Sequence, residues 1–214
     1  MTDDTEHRAS RKGLSHARIC AAALAIIDEE GLPALNMRRL GADLGVDAMA
    51  LYRHLPNKQA ILAGVVDLVL ADLADDGGEV REQARRFFTS LRDVLAAHPN
   101  AIPLVANVAL QTGPARRRAD RLLAAMRESG LSEEQALDAF HTLESFALGY
   151  AWLEVAGFVG ELPENAPFVR SNVPRGGAAP GAPGAGTDGS PDGEVDGDRY
   201  DRCLRAVLDV LVPA

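Results

Sequence analysis

At 214 residues the chain is longer than one typical domain and suits a small domain joined to a larger one. A hydrophobic content of 47% is ample for a core and excludes general disorder. The net charge of -9 disfavours a polyanionic partner for the chain as a whole.

Residues 1–12 are polar and charged and read as a mobile arm. A first helix follows, with Ser15 as its N-cap and Ile19, Ala22, Ala23, Ile26 and Ile27 on one face, the spacing of an amphipathic helix. Gly31 and Pro33 stop it. The stretch 36–58, NMRRLGADLGVDAMALYRHLPNK, reads as two short helices broken at Gly45 and capped by Asn36 and Asp47. Leu40, Leu44, Val46, Leu51 and Leu55 hold the pair on a common core. Ala48, Met49, Tyr52 and Arg53 can then face outward. A helix, a short turn and a second helix that gathers hydrogen-bonding side chains suit a DNA major groove.

Asn57 caps a fourth helix through Leu73, with Ile61, Leu62, Val65, Val69 and Leu73 as its buried stripe. Asp75-Asp76-Gly77-Gly78 breaks the pattern. The next helix spans about Val80 to Ala97, with Ala84, Phe87, Phe88, Leu91 and Leu95 inward, and ends before Pro99. A short apolar helix over 101–110 leads to a turn at 111–114, where Pro114 suits a first helical position. The helix from Pro114 runs to Ser129, and Gly130 ends it. Ser132-x-x-Gln135 is a capping box opening a long helix that carries Leu137, Phe140, Phe146, Tyr150 and Leu153 and reaches about Val159.

In Ser171–Asp198, 12 of 28 residues are Gly or Pro, so too little apolar side chain is present to offset the entropy of ordering, and a disordered loop is expected. A final helix over 198–212 carries Tyr200, Cys203, Leu204, Val207, Leu208 and Leu211 and must pack against something. No strand pattern or internal repeat is visible, and the expected fold is all-α. Its parts are an arm (1–12), a helix-turn-helix domain (13–58), a connecting helix (59–76) and a larger helical domain (77–214).

Charge follows this division. Residues 1–58 hold eight Lys/Arg and eight Asp/Glu, so the net negative charge lies entirely beyond them. A neutral DNA-facing end with an acidic body that phosphates repel fits this, as does an ordinary acidic protein. Cys20 and Cys203 each sit within an apolar helical pattern and read as buried free thiols. The acidic start lacks the apolar stretch of a secretory signal, and no apolar run is long enough to span a membrane, so a cytoplasmic location is expected.

Enzyme signatures are missing. The histidines at 7, 16, 54, 98 and 141 form no HExxH pair, and no GxSxG, P-loop or GxGxxG occurs. His141-x-x-Glu144 shares a helical face, but a di-metal bundle site needs several more inward carboxylates. No metal or cofactor is expected. A protein-interaction adaptor that kept the helix-turn-helix as scaffold is the other competing class.

The segment GADLGVDAMALYRHLPNK, with its Leu-Tyr-x-His and Asn-Lys elements, resembles the helix-turn-helix of the TetR family of bacterial transcriptional repressors. Beyond Leu91, AAHP, ALQTGP and FALGYAWLE are similar to the C-terminal domain of the tetracycline-repressor branch. The resemblance implies a homodimer, with DNA-binding heads and a ligand-binding body, on a pseudo-palindromic double-stranded operator. It implies that Arg38 reads a base and that Ala48, Met49, Ala50, Tyr52 and Arg53 face the groove. Tyr52, His54 and Lys58 match phosphate-contacting positions. Arg can fork onto a guanine edge and Ala or Met can meet a thymine methyl. The ordinary alternatives are that Tyr52 packs on the first helix, His54 fills a turn, and Arg38 and Arg39 are solvated charges.

The departures concern the ligand. Ala109 and Ala74 stand where the branch has its magnesium-liganding and drug-contacting histidines, so a tetracycline–magnesium complex is not the expected effector. The candidate pocket wall is Phe87, Phe88, Leu91, Leu104, Val108, Phe140, Phe146 and Trp152, each of which can also be plain core. Asn107, Gln111, Thr112, His141 and Glu144 are the polar candidates for a largely apolar small effector. Repression is the family's usual mode, and activation by the same fold stays open.

Overall fold

The computed structural model describes residues 14–75, 77–107, 113–157 and 193–213, with the backbone alone for 193–198. The arm, Ala109 and most of the Gly/Pro-rich segment lie outside the described residues. Among the described residues every regular element is helical. The order is α1 (His16–Glu30), α2 (Met37–Asp43), α3 (Ala48–Leu51), α4 (Lys58–Val69), α5 (Val80–Ala97), α6 (Ile102–Asn107), α7 (Pro114–Glu128), α8 (Glu133–Val155) and α9 (Gly193–Leu211). Short 3-10 turns precede α2, follow α4 and precede α6.

Local chemistry sets these boundaries. Ser15, Asn36, Asp47 and Asn57 each accept a backbone N–H of the helix they open. Ser132 and Gln135 form the full capping box of α8. Pro114 occupies the first turn of α7, where its missing N–H removes nothing. The five residues expected inward on α5 are all buried.

One apolar core runs through the molecule. Phe87, Phe88 and Phe140 meet in it with ring centroids 5.1–5.9 Å apart. The largest helix contact is α5 on α8, close because α8 presents Ala136, Ala139, Ala147 and Ala151 inward. Helix α9 lies against both, with Tyr200 buried and its hydroxyl donating to Phe88 O at 2.7 Å. Removing that hydroxyl in Tyr200→Phe is expected to cost about 1 kcal/mol, a fall in Tm of roughly 2–4 °C by thermal unfolding.

Several boundaries and faces differ from expectation. Helix α4 ends at Val69, and a 3-10 turn carries Leu70–Asp72 to the buried Leu73. Helix α9 begins at Gly193, so 193–198 are helical instead of loop. Once Tyr200 and Leu204 anchor the helix, adding residues upstream needs no new nucleus. Cys203 is exposed, because the inward stripe is Tyr200, Leu204 and Leu208 at i, i+4 and i+8. Leu137 and Leu153, which the sequence places on α8 without a facing, are exposed because alanines occupy its inner face.

Cys20 is buried as expected, and burial, with a smaller push from the Asp67 charge, raises its thiol to about 11 from 9.0. Above about pH 9 the unfolded chain ionises this thiol while the folded chain keeps its proton, so its contribution to stability is lost progressively between pH 9 and 11. Urea midpoints at pH 8 and pH 10.5 are expected to differ less in Cys20→Ala than in the wild-type chain.

Candidate nucleic-acid interface and effector cavity

The helix-turn-helix is held by backbone proximity as much as by side chains. A Cβ built on Gly41 would lie 2.9 Å from Val46 O and 3.2 Å from Ala48 N, so only glycine lets α2 pass this close to the start of α3. Val46 N–H donates to Gly41 O at 2.8 Å, and the Asp47 carboxylate accepts Met49 N–H at 2.7 Å. Leu51 and Leu55 turn inward and are buried.

What remains faces solvent. Met49 is 70% exposed and Tyr52 42%, while Arg53 and His54 are exposed beside them. Ala48 and Ala50 are half-buried on the same turn. Arg38 is exposed in the first turn of α2, whereas Arg39 pairs with Glu30 at 2.6 Å across a solvated surface. The Lys58 ammonium donates to Leu35 O at 2.7 Å. That bond fixes its position and leaves two donor hydrogens for a second acceptor. Arg38, Ala48, Met49, Ala50, Tyr52, Arg53, His54 and Lys58 thus lie on the helix-turn-helix or at the start of α4.

A cavity of about 440 Å³ lies between the end of α4 and helices α5, α6, α7 and α8. Of the residues named from sequence, Phe87, Leu91, Asn107, Phe140, His141 and Glu144 line it. Phe88 and Leu104 are instead core, Phe146 stacks on Tyr200, and Trp152 is 51% exposed near the end of α8. Val108, Gln111 and Thr112 lie outside the described residues.

Sequence reasoning missed Leu70 and Leu73 at the cavity floor and Ala115, Arg116, Ala119 and Asp120 on α7. The readable signal was the small pair Ala115 and Ala119, one turn apart, which leaves room where a larger residue would fill it. The apolar floor meets a polar rim. Arg116 Nε donates to Asp120 at 2.7 Å, and His141 Nδ1 lies 3.3 Å from Glu144 Oε2. Among the described residues no group of three His, Cys, Asp or Glu is placed to hold a metal.

A solvent-facing helix-turn-helix is thus joined through one helix to a body with an apolar cavity. Residues 19–65 match the family model of bacterial regulatory proteins of the tetR family, and residues 74–171 that of the tetracyclin repressor-like C-terminal domain. The chain belongs to the TetR family, whose members are regulators and not enzymes. It is 31% identical over 160 residues to the HTH-type transcriptional repressor DrrR1 of Streptomyces coeruleorubidus, a match covering 69% of this chain and 57% of that protein.

Among solved structures, the Streptomyces coelicolor TetR family protein ActR in complex with (S)-DNPA matches with a TM-score of 0.68 at 25% identity. That match covers 92% of this chain and 96% of ActR. BioQ with its natural double-stranded DNA operator matches with a TM-score of 0.59 at 33% identity, covering 67% of this chain and 88% of BioQ. The chain spans less than two thirds of the first curated relatives, 57% of DrrR1 and 59% of an HTH-type transcriptional regulator of Saccharopolyspora erythraea. No described helix is long and apolar enough to cross a membrane.

Proposed function

We propose that the chain is a homodimeric transcriptional repressor, released from a pseudo-palindromic operator by a small, largely apolar effector. The observation that carries this is the pairing of a solvent-facing recognition surface with a cavity at the far end of α4, the helix that joins them. Arg38, Ala48, Met49, Ala50, Tyr52 and Arg53 address the major groove, and His54 and Lys58 the phosphates. The effector packs against the apolar wall formed by Phe87, Leu91 and Phe140. Its polar groups meet Asn107, His141 and Glu144. Repression is supported by the name of DrrR1, and an operator as ligand by the BioQ complex.

Dimerisation is supported by apolar side chains that α8 and α9 leave exposed: Trp152, Leu153, Val155 and, at 83% exposure, Val210. A four-helix interface built from both copies buries them and sets the two heads roughly 34–36 Å apart, one turn of DNA. Trp152→Glu/Val210→Glu is expected to shift sedimentation from dimer to monomer and to weaken operator binding at least about tenfold, because one head then binds without the other. The testing experiment is fluorescence anisotropy on duplexes from the DNA flanking the gene, with excess competitor. Sub-micromolar specific binding supports the reading. Absence of specific DNA binding, there and in a selection from random duplexes, overturns it.

A further inference from the structure

Two joints tie the DNA-reading helices to the body. One is made by Asp28 at the end of α1, whose Oδ2 lies 2.9 Å from His98 Nδ1 while Asn100 donates to Asp28 O at 2.9 Å; its Oδ1 is buried without a hydrogen-bond partner among the described residues. The other joint is made by Asp67. Asp67, three residues before Leu70 in the cavity floor, lies against Gly113, which opens α7. A Cβ on Gly113 would fall 2.3 and 2.5 Å from the two carboxylate oxygens, and its φ of 104° is itself one that glycine favours.

The N-terminus of α7 has no side-chain cap, and Pro114 contributes no N–H. Its positive end therefore faces the Asp67 carboxylate. Asp67 Oδ1 is buried and has no hydrogen-bond partner among the described residues. Around it stand His16 and Cys20 from α1 and Arg117 from α7. Burial raises the Asp67 carboxyl above its ordinary value, and the Arg117 and His16 charges pull it back. A half-buried carboxylate with one buried oxygen that has no hydrogen bond among the described residues is sensitive to small displacements of its neighbours.

Those neighbours adjoin the cavity. Ala115, Arg116 and Ala119 of α7 line it, starting two residues beyond Gly113. On the other side, α4 runs from Asp67 back to Lys58, whose N-cap Asn57 ends the loop that leaves α3. We infer that Asp67 is the positioning residue through which filling of the cavity is transmitted to the DNA-reading surface, by the charge it holds against the start of α7. The inference rests on the proposed function and adds to it the contact that couples the two sites.

The test is a double-mutant cycle that needs no identified effector. Ala119→Phe serves as the occupant, with Ala119→Leu as a smaller filler should Phe prevent folding. Each is combined with Asp67→Asn, which keeps shape and removes charge. Operator anisotropy and hydrogen exchange over residues 61–69 are read for all variants. Ala119→Phe is expected to weaken operator binding at least about tenfold and to speed exchange in α4. In the Asp67→Asn background both effects shrink, the binding loss to under about threefold, while Asp67→Asn alone stays within about threefold of wild type. Equal losses in the two backgrounds, or none in either, overturn the inference. Should the wild-type chain bind no DNA, the regulatory reading fails, and the exchange cycle still decides Asp67. Filler-induced exchange that depends on Asp67 upholds the joint, and exchange indifferent to it refutes it.

Discussion

Tyr52→Ala/Arg53→Ala is expected to lower specific operator affinity by at least about 100-fold while leaving Tm and the dimer unchanged. Both side chains are exposed on the recognition turn, and neither is part of the buried core. Their removal should therefore shift stability by no more than about 0.5 kcal/mol. On DNA the balance reverses. A base-edge arginine contributes about 1–3 kcal/mol of discrimination, and the proposed dimer would use the pair twice. Anisotropy against specific and scrambled duplexes separates the effects: the specific complex should collapse toward the scrambled value, with far-UV circular dichroism unaltered. Wild-type affinity in this variant would sink the assignment of the recognition surface.

Arg92→Met is expected to give the largest loss of stability. Arg92 on α5 holds Glu154 on α8 with two hydrogen bonds, Nε to Oε2 at 2.8 Å and Nη2 to Oε1, and its guanidinium lies 5.6 Å from the centre of the Tyr200 ring. The two side chains are only 14% and 19% exposed. Deleting the arginine strands a carboxylate between helices, which costs about 3 kcal/mol, or a fall in Tm of roughly 6–12 °C. Arg92→Met/Glu154→Met removes both charges and should recover most of that fall. A single variant melting within about 2 °C of wild type would show that the pair contributes little. Because this contact joins α5 to α8 beneath α9, the proposed dimer should weaken in parallel.

The helices were legible wherever periodicity and capping agreed. Ser15, Asn36, Asp47, Asn57 and Ser132 each announce a helix start through one side-chain oxygen, and the inward face of α5 follows from spacing alone. Facing on α8 and α9 was harder to read. Periodicity marks Leu137, Leu153 and Cys203 as apolar, but packing decides between them and the neighbouring alanines or Leu204, and packing depends on partners distant in sequence. For the same reason the cavity was half visible. Phe87, Leu91 and Phe140 are apolar and could be picked as wall, whereas the space they border exists because Ala115 and Ala119 are small. Asp67 carried no sequence signal at all, since its significance comes from Gly113, 46 positions away in the chain.

The recognition helix is a single turn, fixed from behind by Gly41, Val46 and Leu51 and at its start by Asp47. None of these four is a residue proposed to read bases. Folding constraints and reading constraints therefore fall on different positions of the same few residues. A lineage carrying this turn is free to exchange residues 49, 52 and 53 and acquire a new operator without first acquiring spare stability. The cavity offers no such freedom, because its floor is also the core of the body. On that account, descendants of such a protein should diversify in the DNA they recognise faster than in the compounds they sense.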